Sequence, residues 1–151
     1  MTIPDKLPIA RMEDYHTHYL GQVDDGRLFW GYQTFIFTKP YSDIEQGDDW
    51  KKYRKEYVLV HTFDEDGNYL ATKYWSGLTT NTSDQELEDK LEEMISKLGD
   101  VDFQDIEIKI FQTQLDNVVF GLVVDEKSEM INLQPSSTIS FQEPWDGEYY
   151  T

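Results

Sequence analysis

The stretch that decides the fold runs from Ser83 to Gly99 and reads SDQELEDKLEEMISKLG. Ser83 and Glu86 have the spacing of a capping box, which satisfies backbone N–H groups at the start of a helix. Gly99 is a residue type that commonly follows the end of a helix. Between them, apolar residues recur at the helical period and share one face: Leu87, Leu91, Met94, Ile95 and Leu98. We therefore predict one main helix over residues 84–98.

Before this helix, the chain alternates strand-like runs with tight turns. Asp25-Gly26 and Asp66-Gly67 each lie between runs rich in aromatic and β-branched residues. Asp-Gly in that setting is a strong signal for a β-hairpin. We therefore predict two hairpins on the N-terminal side of the helix.

After the helix, the apolar period changes to two. Ile106, Ile108 and Ile110 alternate with charged residues, which predicts a strand with one buried face. Asp116-Asn117 is a predicted turn, and further strands are predicted over residues 118–124, near 130–133 and near 138–141. Together these patterns predict an α+β fold, with an antiparallel sheet of about six or seven strands packed against the one main helix.

The length of 151 residues is typical of one domain, and we predict a single domain over 1–151. Aromatic residues make up 15% of the chain, enough to supply a core without disulfides or metals. The segment 144–151 carries Trp145, Tyr149 and Tyr150. A tail with that much apolar area is expected to dock onto the domain.

The chain has no cysteine, which excludes disulfides, thiolate metal sites and cysteine nucleophiles. Residues 1–6 lack the apolar core of a signal peptide, so we expect a cytoplasmic protein. Phosphate-binding glycine motifs and the Gly-x-Ser-x-Gly motif are also absent from the sequence. We therefore assign no catalytic residue and expect no cofactor.

The formal net charge of −17 comes from 30 acidic and 13 basic residues. This balance argues against binding to nucleic-acid phosphates or to anionic membranes. It fits a basic protein partner, or solubility alone. Ten of the carboxylates fall within residues 84–107, against Lys90 and Lys97. We predict that this region binds the partner, through Glu88, Glu92, Glu93, Asp100 and Asp102, although a solvated helix face has the same pattern.

The string Asp14-Tyr15-His16-Thr17-His18 resembles the opening metal motif of the polymerase-and-histidinol-phosphatase family of phosphoesterases. Two histidines at i and i+2 on one face of a strand can share a metal. That resemblance implies a metal-dependent hydrolase using His16 and His18. The chain has one further histidine, His61, whereas the family recruits several more ligands. We keep the hydrolase as an alternative and predict that no metal is bound.

A second alternative is a small-ligand binder, which would use an aromatic-lined sheet face around Trp30, Tyr32 and Trp75. Aromatic side chains with a few polar groups are common in ligand pockets.

Several segments resemble one group of short bacterial proteins: Tyr15 to Arg27, Val58–Asn68, Val118 to Leu122, and the ending Pro144-Trp145-Asp146-Gly147-Glu148-Tyr149-Tyr150-Thr151. Members of that group end in Pro-Trp-Asp-Gly-x-Tyr-x-Thr and are often labelled formate hydrogenlyase regulatory proteins. The resemblance implies no catalytic residue and no cofactor.

These observations favour a non-enzymatic bacterial protein-binding domain that regulates or inhibits one basic protein. A toxin-neutralising immunity protein is the most concrete version, because small, acidic, cysteine-free α+β domains are typical of that class. The sequence leaves the identity of the partner and the oligomeric state open.

Overall fold

A computed structural model describes residues 3–13, 16–135 and 139–151. Over these residues the chain is α+β, with one α-helix and eleven strands. The strands form three antiparallel sheets, so the prediction of one sheet with six or seven strands was wrong. The helix α1 spans Asp84–Ser96. The strands are β1 Leu7–Ile9, β2 Tyr19–Val23, β3 Leu28–Phe37, β4 Arg54–Phe63, β5 Tyr69–Leu78, β6 Val101–Phe103, β7 Ile106–Ile108, β8 Gln112–Leu115, β9 Val118–Asp125, β10 Met130–Gln134 and β11 Ser140–Phe141.

The largest sheet has five strands in the order β5-β4-β3-β2-β6. Both predicted Asp-Gly hairpins are confirmed, since β2 pairs with β3 and β4 pairs with β5. Gly26 and Gly67 have φ of 98° and 87°, a region that glycine enters at no steric cost. These turns join β2 to β3 and β4 to β5 in the five-stranded sheet.

The second sheet has four strands in the order β11-β10-β9-β8, and β1 pairs with β7 as a separate ribbon. The turn between β8 and β9 lies at Asp116-Asn117, as predicted, with φ of 53° and 66°. Two left-handed residues in succession match the twist of a two-residue hairpin, and Asp and Asn tolerate that conformation better than other side chains.

The main core lies between the five-stranded sheet and the other two sheets. Its large members alternate along β3 and β4, so they point to the same face of the sheet. Trp30, Tyr32, Tyr57 and Phe120 are completely buried there. This face is dominated by aromatic rings.

The opposite face of the five-stranded sheet is covered by α1 and carries smaller residues. Leu87, Leu91 and Ile95 are buried against it, and Met94 and Leu98 are partly buried. A Cβ on Gly31 would lie 3.0 Å from Leu91 Cδ1, so this glycine lets the helix approach closely. The predicted helical face is therefore confirmed, in a three-layer arrangement of helix, sheet and sheet.

The ends of α1 follow the predicted signals. The Glu86 N–H donates to Ser83 Oγ at 3.1 Å, which is the cap expected from the sequence. The regular helix ends at Ser96, two residues before the predicted end, and Gly99 leaves it with φ of 112°. Over the described residues, no helix has the length and apolar content needed to cross a membrane.

The C-terminal tail 144–151 lies against the domain. Trp145 and Tyr149 pack on the main core. The Ala10 N–H donates to the Gly147 carbonyl at 2.8 Å, and Ser140 pairs with Tyr150 through two backbone hydrogen bonds. The tail thereby connects the start of the described chain to its last strand.

Candidate functional site

The residues predicted to bind a partner lie on two neighbouring elements. Glu92 and Glu93 are exposed on α1, and Glu88 is partly buried on the same helix. Asp100 is exposed in the connection that follows the helix, and Asp102 is exposed on the edge strand β6. The five carboxylates therefore do not form one continuous helical stripe.

Glu88 is held by two residues from the sheet. The Tyr19 hydroxyl donates to Glu88 Oε1, and the Gln33 side-chain amide donates to Glu88 Oε2 at 3.2 Å. The Tyr19 hydroxyl also lies 3.4 Å from Glu92 Oε1. Burial, with a further contribution from the Glu88 carboxylate, raises the pKa of Tyr19 well above its ordinary value. Tyr19 is therefore a neutral donor that fixes the positions of two carboxylates.

An exposed aromatic side chain lies next to Tyr19. The Phe103 ring is 6.1 Å from the Tyr19 ring and 6.0 Å from the buried Phe29 ring, both in edge-to-face geometry. Phe103 is 44% exposed, and the Arg11 guanidinium lies 4.9 Å from its ring centroid. An exposed aromatic residue, Tyr19, and the carboxylates of Glu88 and Glu92 are thus brought together on one surface, which we call the Tyr19–Phe103 surface.

Glu93 is engaged within the helix itself. Its carboxylate lies 3.0 Å from Lys97 Nζ, one turn along, and this hydrogen bond lowers the pKa of Glu93. Both side chains are exposed, so the pair contributes little to stability. Glu93 consequently adds less uncompensated charge than the sequence pattern suggested.

A cleft of about 400 Å³ adjoins the Tyr19–Phe103 surface and shares Glu88 with it. It lies at the N-terminal end of α1, where Asp84 and Gln85 face Gln33 and Phe35 of β3. The remaining charged lining residues are Arg54 and Glu56 of β4. The described residues therefore place three carboxylates and one guanidinium around this space.

Among the described residues that line the cleft, the one guanidinium, that of Arg54, is already paired. Arg54 Nε lies 3.0 Å from Glu56 Oε1, and its guanidinium carbon lies 3.8 Å from the centroid of the Phe35 ring. Trp50 approaches the same guanidinium at 5.6 Å. Since Arg54 is neutralised by Glu56, the charge that remains at the cleft is that of Asp84 and Glu88.

The structure places His16 and His18 in the turn that precedes β2, so the prediction that they share one face of a strand was wrong. Two backbone carbonyls of this turn accept hydrogen bonds from side chains. Trp30 Nε1 donates to the His16 carbonyl at 2.5 Å, and Arg11 Nε donates to the His18 carbonyl at 2.9 Å. The His16 ring meets Tyr149 edge-on at 6.0 Å, whereas the His18 ring packs on Tyr19 at 4.6 Å.

His16 lines the cleft, and His18 does not. Asp14, the third member of the predicted motif, lies outside the described residues. Within the described ranges, no three His, Asp or Glu side chains form a group that could hold a metal ion. The two histidines are therefore not brought together as the metal motif requires.

Trp30, Tyr32 and Trp75 do not share one sheet face, so the predicted aromatic binding face was wrong. Trp30 and Tyr32 are completely buried in the main core, whereas Trp75 lies on the helix side with Lys90 Nζ 4.7 Å from its ring. The register explains this, because Trp75 is paired with Val58 while Tyr32 is paired with Leu59. Consecutive residues of a strand point to opposite faces.

Comparison with protein-family models, with curated proteins and with solved structures finds no match for this chain. The site is therefore interpreted from its own geometry.

Proposed function

We propose that this chain is a non-enzymatic protein-binding domain that regulates or inhibits one basic protein partner. The observation that supports this proposal is the Tyr19–Phe103 surface. Phe103 offers exposed apolar area beside carboxylates whose positions are fixed by the hydroxyl of Tyr19. Aromatic anchors surrounded by polar groups are typical of the residues that dominate binding energy at protein interfaces.

The charge of the surface supports a basic partner. Glu92, Asp100 and Asp102 are exposed, and none of them forms an ion pair among the described residues. Together with the net charge of −17, they produce a negative potential that attracts a basic surface and raises its association rate. The cleft beside Glu88 is wide enough to take a lysine or arginine side chain of that partner.

The most concrete form of this proposal is a bacterial immunity protein that neutralises a basic toxin in the cytoplasm. Small size, strong acidity and the absence of cysteine support it. The resemblance of the ending at 144–151 to proteins labelled formate hydrogenlyase regulatory proteins supports a regulatory role more generally. Both forms require a protein partner and no catalytic residue.

The experiment uses the full chain as bait to capture the partner from its native host, followed by binding kinetics with the purified partner. We expect the association rate to fall between low and high salt, while the dissociation rate changes little. Glu88→Lys, Glu92→Lys and Glu93→Lys together should slow association in the same way. Phe103→Ala should instead accelerate dissociation.

Tyr41→Ala is the matched control, because Tyr41 is 64% exposed beyond the end of β3, where its ring contacts Phe37. It should leave both rates unchanged. An acidic partner, an association rate that is indifferent to salt, or equal effects of Phe103→Ala and Tyr41→Ala would each refute this surface.

A second candidate function is the metal-dependent hydrolase using His16 and His18, because His16 lines the cleft together with Glu56, Asp84 and Glu88, although these described side chains do not themselves form a group that could hold a metal ion. Elemental analysis of the purified protein tests it. A stoichiometric metal that is lost in a His16→Ala, His18→Ala double variant would place this function above protein binding. If the cleft instead binds a small molecule, adding that molecule should raise the melting temperature in the absence of metal.

A further inference from the structure

Strand β5 forms an open edge of the five-stranded sheet. It has ten residues, and over the described part of the chain no other strand pairs with its outer side. The strands at the other ends of the two larger sheets are much shorter, with three residues in β6, four in β8 and two in β11. Short edges resist pairing with other chains, whereas a long edge invites it.

Beyond a bulge near its start, β5 lacks most of the protection that is usual in an edge strand. Its only charged residue is Lys73, it contains no proline, and no carboxylate occurs between Asp66 and Asp84. Leu70, Tyr74 and Leu78 are 50%, 40% and 43% exposed. Tyr74 and Leu78 are four apart and lie on the same face of the strand, whereas a bulge between Tyr69 and Ala71 takes Leu70 out of that alternation.

The sequence of β5 is complementary to itself in one antiparallel register, centred on Tyr74. In that register Ala71 lies opposite Gly77 of a second copy, Thr72 opposite Ser76, and Tyr74 opposite Tyr74. Lys73 lies opposite Trp75, which adds a cation–π contact across the pair. No two like charges face each other, which is the condition for a stable cross-strand arrangement.

We propose that β5 pairs antiparallel with β5 of a second copy of this chain, so that two five-stranded sheets join into one. The charge distribution supports a second copy at this edge. Lys90 of α1 lies over Trp75 at 4.7 Å, while Glu88 and Glu92 contact Tyr19 on the other side of the helix. Lys73 and Lys90 therefore offset part of the repulsion between two chains of net charge −17 at this edge.

Sedimentation equilibrium of the full chain tests the association. We expect a dimer whose dissociation constant falls as salt rises, because salt screens the repulsion between the acidic copies. This response is opposite to that of a complex with a basic partner. A chain that stays monomeric at every concentration up to its solubility limit, in low and high salt, overturns the proposal.

Cysteine substitution tests the register, since the natural chain has no cysteine. Directly paired residues of an antiparallel ladder have Cα atoms about 4.5–5.5 Å apart, which a disulfide can span. Under mild oxidation Tyr74→Cys should form a covalent dimer. Ser76→Cys is the control, because the two copies of residue 76 are offset by four residues, about 13 Å. Equal cross-linking of both variants overturns the register.

Discussion

Lowering the pH from 7 to 5 should destabilise this protein by about 2 kcal/mol through His61 alone. His61 is completely buried in β4. Its Nε2 lies 2.8 Å from the Tyr32 hydroxyl and its Nδ1 lies 2.7 Å from Thr72 Oγ1, which in turn lies 2.7 Å from the Tyr69 hydroxyl. Burial lowers the pKa of His61 from 6.5 to about 3. The folded protein therefore keeps this imidazole neutral.

The sign and size of the effect follow from proton uptake. Between pH 6.5 and pH 3 the unfolded chain protonates this histidine and the folded chain does not. The contribution of the neutral His61 to the free energy of unfolding is therefore complete above pH 6.5 and is lost as the pH falls toward 3. At pH 5, 1.5 units below the unfolded pKa, protonation stabilises the unfolded state by about 2 kcal/mol.

Urea unfolding followed by tryptophan fluorescence, at pH 7 and at pH 5, measures this quantity. His61→Gln is the comparison, because glutamine is polar and does not titrate. Between the two pH values, we expect the free energy of unfolding of the wild type to fall by about 2 kcal/mol more than that of His61→Gln. All other titrating groups are the same in the two proteins, so their effects cancel in this difference. Equal losses in the two proteins would show that His61 is protonated in the folded state and would refute the reasoning.

Three further predictions concern stability. Leu91→Ala should lower the free energy of unfolding by about 2–5 kcal/mol in urea titrations, because Leu91 is buried between α1 and the sheet; a loss below about 1 kcal/mol would contradict that packing. Asp116→Asn should lower the melting temperature at pH 7, because the Asp116 carboxylate accepts from Tyr57 and Lys55 at 2.6 Å and 3.0 Å. These bonds lower the pKa of Asp116, so their contribution is present above its ordinary pKa and is lost as the pH falls through the lowered pKa; the melting temperatures of the two proteins should converge in that acidic range. Deleting residues 144–151 should lower the melting temperature and increase binding of an apolar dye, whereas an unchanged melt would mean that the tail does not stabilise the domain.

Local signals in the sequence predicted the elements well, because they act over a few residues. The Ser83 cap, the apolar face of α1 and the Asp-Gly turns each depend on neighbours within four positions. The arrangement of strands into three sheets depends instead on pairs far apart in the chain, such as Leu7 with Ile108. No short-range pattern encodes that choice, so a single sheet was the simplest expectation from alternation alone.

In the candidate site, too, the local features were predicted from the sequence and the contacts between distant residues were not. The acidic residues of α1 were visible as a local excess of charge, but the contacts that select Glu88 and Glu92 come from Tyr19, about seventy residues earlier. Phe103 was missed because a single aromatic residue in a three-residue strand carries no periodic signal. Its neighbour Asp102 was identified by charge, although β6 belongs to the sheet edge beside β2.

The position of β4 has a consequence for the amide protons of the chain. β3 and β5 flank this strand on both edges, α1 covers one of its faces and the second sheet covers the other, and all residues from Glu56 to Phe63 are buried. Backbone N–H groups in such a strand contact solvent only when the whole domain opens. The amides of β4 should therefore be the last to exchange with deuterium, and their exchange rate would report the global free energy of unfolding. The amides of β6 and β11 should exchange through local fraying.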